Sequence, residues 1–232
     1  RLHRLLKRIS EIKIFDPACG SGNFLIISYK ELRKLEMKIF KEIKGLPLSG
    51  ITLSQFYGIE IDDFAHEIAI LSLWLAEHQM NVEFFKEFNR TEPTLPLQDS
   101  AHITQGNAVQ IDWKKVCPRN MEDEVYILGN PPYSGARLQN EKQKQDMKQL
   151  FEKKLEGFNN LDYIGCWFFK GAQYLKDSNA RFAFVSTNSI CQGSQVALLW
   201  PHILNDSLEI NFAHRSFKWT NNAKGNAGVA CV

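Results

Sequence analysis

The sequence predicts an α/β domain: a mostly parallel sheet with helices covering both faces. Two observations carry this reading. Short apolar runs of strand length alternate along the chain with segments of helical periodicity. The chemically unusual turns all fall just after an apolar run, at the carboxyl ends of strands where open α/β sheets bind their ligands.

Taken in order, Ile12 to Phe15 is the first strand, followed by Asp16-Pro17, the glycine loop Gly20-Ser21-Gly22, and a helix from Phe24 through Ile39. Gln55 to Ile61 is the second strand. Asp62-Asp63 then supply capping residues for a largely apolar helix, Phe64 to Met80. Glu83 to Ser100, with Pro93 and Pro96, reads as a surface connection, and His102 to Gly106 as a third strand. Val125 to Leu128 is the next strand. Ser134 to Asn160 is polar and short of core residues apart from Leu150, Phe151 and Leu155, and is expected to form a mobile insertion or lid containing one amphipathic helix. The expectations for the rest are a helix over Leu161 to Leu175 and a strand over Arg181 to Ser186. After them come a helix over Gln195 to Asn205 split by Pro201, a strand over Leu208 to Ala213, and a last strand beginning at Gly228.

A chain of 232 residues with 44% hydrophobic content can build one sizeable core. Its richest apolar run, Ile68 to Ala76, falls short of the ~18 residues of a membrane span. The five cysteines are odd in number, widely spaced and free of any CxxC pair, which argues against a disulfide frame or a metal site and fits a reducing cytoplasm. A net charge of +2 leaves nucleic-acid binding to local basic stretches such as Arg137 to Lys154 and His214 to Lys224.

Two turns carry chemistry. After Val125 to Leu128 the chain leaves through Gly129-Asn130-Pro131-Pro132-Tyr133. Two successive prolines remove two backbone donors and stiffen the chain, and Asn130, which precedes proline, is pushed out of helical geometry. The Asn130 side-chain carbonyl and the Pro131 carbonyl become adjacent acceptors beside an aromatic ring, an arrangement suited to an NH2 group on a flat ring. The earlier loop, Asp16-Pro17-Ala18-Cys19-Gly20-Ser21-Gly22, lacks the third glycine of a dinucleotide fingerprint, because position 25 is Leu25. Its small residues still admit a ligand close to the backbone at a helix N-terminus, and Glu60 ends the next strand where it can accept bonds from two ribose hydroxyls. An adenosine-containing ligand without an essential pyrophosphate fits both features.

The ordered series DPACGSGNF, YGIEID, QGN, GNPPY, LDYIGCWFFKGAQYL, RFAFVSTNSI and FAHRSFKWTNNAKGNAGVACV resembles the motifs of S-adenosylmethionine-dependent amino-methyltransferases that act on adenine in DNA, most closely the MmeI-like group. The resemblance runs from about Leu5 to the last residue. It implies the class I methyltransferase (Rossmann-like) fold with a mostly parallel seven-stranded sheet, S-adenosylmethionine as cofactor with no metal, and double-stranded DNA as partner. It assigns Asp16, Ala18, Gly20 and Gly22 to the methionine end of the cofactor, Glu60 to its ribose, Ile61 and Asn107 to its adenine, and Asn130, Pro131, Pro132 and Tyr133 to catalysis. Asn107 stands where the family usually carries an aspartate. Phe217 and Trp219 fall where the family has a second aromatic contact to the target base.

The same Asn-Pro-Pro-Tyr edge also serves enzymes that methylate cytosine amines, RNA guanine amines or a protein glutamine. A degenerate nucleic-acid-binding domain is the non-enzymatic alternative. The resemblance further implies fusion to nuclease and target-recognition regions, and the chain reads as the methyltransferase domain, residues 1–232, of a longer polypeptide.

Overall fold

The structure, a computed structural model, describes residues 1–43, 46–89, 100–204, 208–214, 216–218 and 230–232. It separates into two units: Arg1–Gly129 with Asp177–Phe182, and Asn130–Lys176 with Ala183–Val232.

The first unit contains α1 (Leu2–Glu11), β1 (Lys13–Asp16), α2 (Asn23–Glu42), β2 (Phe56–Glu60), α3 (Asp63–Phe88), β3 (His102–Gln105), α4 (Trp113–Val116) and β4 (Val125–Gly129). β1 pairs in parallel with β2 on one side and β4 on the other, and β2 pairs in parallel with β3. With β5 (Arg181–Phe184) the sheet has five strands in the order β3-β2-β1-β4-β5. Adjacent strand residues point to opposite faces. Ile14 joins Leu25 and Tyr29 of α2 and Leu73 of α3 in one core, whereas Phe15 meets Trp113 of α4 edge-on, with ring centroids 5.5 Å apart. Helices therefore cover both faces of this sheet, as the alternation predicts.

α3 runs past the expected end at Met80 to Phe88, so residues 83–88 are helix and not a surface connection. Phe84 is 1% exposed, and its ring contacts Phe40 at 6.2 Å and Phe88 at 4.8 Å. This aromatic packing carries the helix on until Asn89, in the left-handed conformation, ends it. Pro93 and Pro96 lie outside the described residues. Among the described residues no helix is long and apolar enough to cross a membrane.

The second unit contains α5 (Glu141–Phe151), α6 (Gly165–Leu175), α7 (Gly193–Leu199), β6 (Phe217–Lys218) and β7 (Ala230–Cys231). α5 begins with a capping box between Asn140 and Gln143, and buries Asp146, Met147 and Phe151. α7 gives way at Trp200 to a 3-10 turn containing Pro201, the split expected from that proline. α6 starts at Gly165, later than Leu161, because the preceding residues spend their backbone groups on other loops: Tyr163 N–H donates to Ser134 O at 2.8 Å and Asp162 N–H to Gln195 Oε1 at 3.0 Å.

Among the described residues the main sheet has five strands and not the expected seven. β6 and β7 make an antiparallel pair of their own. Beyond β5 the only described link to them is an isolated antiparallel bridge between Thr187 and Cys231, flanked by reciprocal Ser186–Val232 bonds of 3.0 and 2.8 Å. Among the described residues Leu208 to Ala213 forms no named strand either, and Ile210 and Phe212 are 56% and 69% exposed.

Candidate active site

In the first unit the carboxyl ends of β1, β2 and β3 converge on one another through backbone bonds. Cys19 N–H donates to Ile59 O at 3.1 Å and Gly106 N–H to Glu60 O at 2.7 Å, which brings the glycine loop, Glu60 and the turn leading to Asn107 together. Gly20 and Gly22 both have positive φ, +54° and +85°, so the loop requires residues without a side chain there. Gly22 also caps α2, and a Cβ at this position would lie 3.4 Å from that of Ala69 in α3.

Glu60 faces the loop. One carboxylate oxygen accepts Gly20 N–H at 2.8 Å and the other accepts Asp62 N–H at 2.8 Å. Each oxygen keeps a second lone pair for an external hydroxyl. Next along the chain, Ile61 is 67% exposed, an apolar surface beside Glu60. The Asn107 side-chain oxygen accepts Val109 N–H at 2.9 Å and so fixes its own turn.

Asp16 is 1% exposed. Its Oδ1 accepts Ala18 N–H at 3.0 Å, while Oδ2 is buried with no hydrogen-bond partner among the described residues. Burial pushes this carboxyl up to about 7 against the lowering effect of the Ala18 bond, and the Glu60 charge adds to the rise. A buried carboxylate oxygen lacking a donor is costly, and a ligand ammonium is the partner that would relieve it. Cys19, in the same loop, is buried, and burial raises its thiol pKa far above the ordinary range, so it is no nucleophile at neutral pH.

Gly129 ends β4, a position to which the sequence pattern alone assigns no role. A Cβ there would lie 2.5 Å from Asp16 Oδ1, so only glycine lets β4 end against that carboxylate. The next peptide bond leads to Asn130.

The Asn130–Tyr133 edge lies in the second unit. Pro131 is buried, Pro132 exposed and Tyr133 half-buried. Asn130 Oδ1 is buried with no hydrogen-bond partner among the described residues. Burial, and after it the Cys231 thiol, raises the Tyr133 phenol pKa, which keeps the ring neutral. Phe217, in β6, is 41% exposed and pairs across the hairpin with Cys231. Trp219 lies outside the described residues.

A family model described as the MmeI DNA-methyltransferase domain matches residues 1–232. The chain belongs to this MmeI DNA-methyltransferase family. It is 53% identical over 238 residues to DNA methyltransferase A of Bacillus subtilis (strain 168), matching 100% of this chain and 27% of that protein. The structure resembles that of the Type IIL restriction-modification enzyme MmeI in complex with DNA, with a TM-score of 0.91 and 42% identity over 99% of this chain and 32% of that one. The ATP-dependent Type ISP restriction-modification enzyme LlaBIII bound to DNA is similar in fold alone, with a TM-score of 0.52 and 17% identity over 78% of this chain. The chain thus spans less than a third of the length of DNA methyltransferase A and of MmeI.

Proposed function

We propose that this chain is the catalytic domain of a DNA methyltransferase that transfers a methyl group from S-adenosylmethionine to the exocyclic amine of an adenine rotated out of the duplex. The observation that carries the reading is Asn130 Oδ1, a buried acceptor with no partner among the described residues, on an edge whose next two residues have no N–H to offer it. An NH2 group is what such an acceptor lacks.

The first unit fits the cofactor. The unpartnered Asp16 Oδ2 suits the methionine ammonium, the Gly20–Gly22 loop admits the ligand to the backbone with Ala18, Glu60 would take the ribose hydroxyls, and Ile61 and Asn107 its adenine. When bound, S-adenosylmethionine supplies an electrophilic methyl group on a sulfonium centre.

The remaining chemistry belongs to the chain. The amine of adenine is a poor nucleophile because its lone pair is delocalised into the ring. Asn130 Oδ1 and the Pro131 carbonyl would accept its two N–H bonds and favour a more tetrahedral, electron-rich nitrogen, while Pro132 keeps the edge rigid. Tyr133 would stack on the base, a contact of about 1 to 3 kcal/mol in comparable stacks, with Phe217 and Trp219 as further aromatic contacts. Rotating the base out of the duplex costs a few kcal/mol, which phosphate contacts would have to offset. Holding reactants in place is then the main catalytic device.

The greater length of the relatives supports a longer polypeptide carrying target-recognition and nuclease functions, and action on cellular DNA supports a cytoplasmic location. The test is transfer of labelled methyl groups to duplex DNA followed by nucleoside analysis. N6-methyladenine is expected; N4-methylcytosine, or label on RNA or protein alone, would overturn the adenine assignment.

A further inference from the structure

We propose that Asp162 is a positioning residue that ties the loop carrying Tyr133 to the turn backing the β6–β7 hairpin that carries Phe217, and thereby sets how the two aromatic contacts to the target base are held. This rests on the methyltransferase reading above. All the residues concerned lie in the second unit.

Asp162 is 9% exposed, yet its carboxylate is shared between two distant segments. Oδ1 accepts Ala136 N–H at 3.2 Å, three residues beyond Tyr133, and Oδ2 accepts Ser189 Oγ–H at 2.5 Å. The same loop is pinned again by Tyr163 N–H, which donates to Ser134 O at 2.8 Å, and by Gln143 Nε2, which donates to Ser134 Oγ at 3.2 Å. Gln195 holds Asp162 from behind: its Oε1 accepts Asp162 N–H at 3.0 Å and its Nε2 donates to Asn160 O at 2.8 Å.

On the other side Ser189 Oγ shares a 2.6 Å bond with Thr187 Oγ1, and Thr187 bridges Cys231, the cross-strand partner of Phe217. A chain of hydrogen bonds therefore leads from Ala136 through Asp162 and Ser189 to Thr187, whose backbone bridges Cys231, the residue opposite Phe217 in the β6–β7 pair. The effect of the Cys231 thiol on the Tyr133 phenol puts the hairpin within electrostatic reach of Tyr133 independently of that path. Neither Asn130 nor Tyr133 bonds to Asp162, so it would act on the reaction through the loop that follows them. The benefit is geometric: misplacing a reacting group by about 1 Å can cost on the order of 100-fold in rate, and a base held by aromatic faces depends on where both are placed.

The test compares Asp162→Ala, Asp162→Asn and Ser189→Ala in the intact protein by residue-resolved amide exchange and by single-turnover methyl transfer. In Asp162→Ala, exchange should accelerate at least 10-fold both at Ala136 and at the reciprocally bonded Ser186 and Val232, while S-adenosylmethionine affinity stays within two-fold and methyl transfer slows at least 10-fold. Asp162→Asn, which keeps an acceptor for Ala136 N–H and can donate to Ser189, should restore most of the rate. Ser189→Ala cuts only the second half of the path and should loosen Ser186 and Val232 but not Ala136; it keeps the test available if Asp162→Ala does not fold. Faster exchange at Ala136 alone, or an unaltered transfer rate in Asp162→Ala or Ser189→Ala, would overturn the proposal. A wild-type protein that transfers no methyl group would defeat the proposed function instead, and the exchange pattern would still decide whether the linkage exists.

Discussion

Gly129 approaches Asp16 so closely that a methyl group at position 129 would lie 2.5 Å from the carboxylate oxygen Oδ1. The end of β4 and the glycine loop after β1 are thus fitted together by the absence of a side chain. Gly129→Ala should push the carboxylate off its bond to Ala18 and destabilise the protein by about 1 to 3 kcal/mol, the usual cost of overpacking. Urea unfolding measures this, and unchanged stability would mean that the two chains have room to part.

Under the proposed assignment, Asp16 would make ligand binding depend on pH. Its carboxyl is raised to about 7, so in the free protein it contributes stability when protonated, and that contribution is lost as pH climbs from its unfolded value through the folded one. Pairing with an ammonium needs the ionised form. S-adenosylmethionine affinity should therefore rise as pH increases through about 7 and fall once the ligand's α-amino group loses its proton near pH 8. Calorimetry at pH 6.5 in buffers of different ionisation enthalpy should detect proton release on binding; flat affinity from about pH 5 to 8 would remove Asp16 from the ammonium.

Glu60 serves the loop and the proposed ribose site at once, since both its oxygens already hold backbone N–H groups. Glu60→Ala should weaken S-adenosylmethionine binding by about 1 to 3 kcal/mol through lost charged hydrogen bonds. Glu60→Gln keeps one acceptor oxygen and should lose less. Equal affinity in the wild type and the alanine variant, measured by calorimetry, would take Glu60 out of the site.

For residues 134–160 we propose a lid that DNA orders further. α5 is already capped by Asn140 and anchored by Met147 and Phe151, so its amides should be protected in the free protein. Adding duplex DNA at low salt should slow exchange in the turns on either side of the helix. Identical exchange with and without DNA would end the lid assignment.

The elements legible in the sequence are those whose cause is local. Asp16, Gly20 and Gly22 mark a strand, a tight loop and a helix start by their own backbone preferences, and each stands where expected. What could not be read depends on distant partners. Arg33 and Glu36 carry types that belong on a surface, yet they are 1% and 2% exposed, because Arg33 Nη1 reaches Asn81 Oδ1 at 3.1 Å and Glu36 accepts from Ser49 and Gly50. Asp162 shows the same limit within the candidate site: its partners Ala136, Ser189 and Gln195 stand 26, 27 and 33 residues away, so no spacing rule announces them. β6 and β7 are only two residues each and pair with one another, which no hydrophobic period can reveal.

The central claim is that Asn130 accepts a hydrogen bond from the target amine, and single-turnover methyl transfer to an adenine-containing duplex by the intact protein tests it most directly. Asn130→Ala should nearly abolish transfer while leaving S-adenosylmethionine affinity within a few-fold, because other loops hold the cofactor. Asn130→Asp preserves the acceptor and its shape but buries a charge, and should retain part of the rate, above that of the alanine variant. An alanine variant as fast as the wild type would contradict the account.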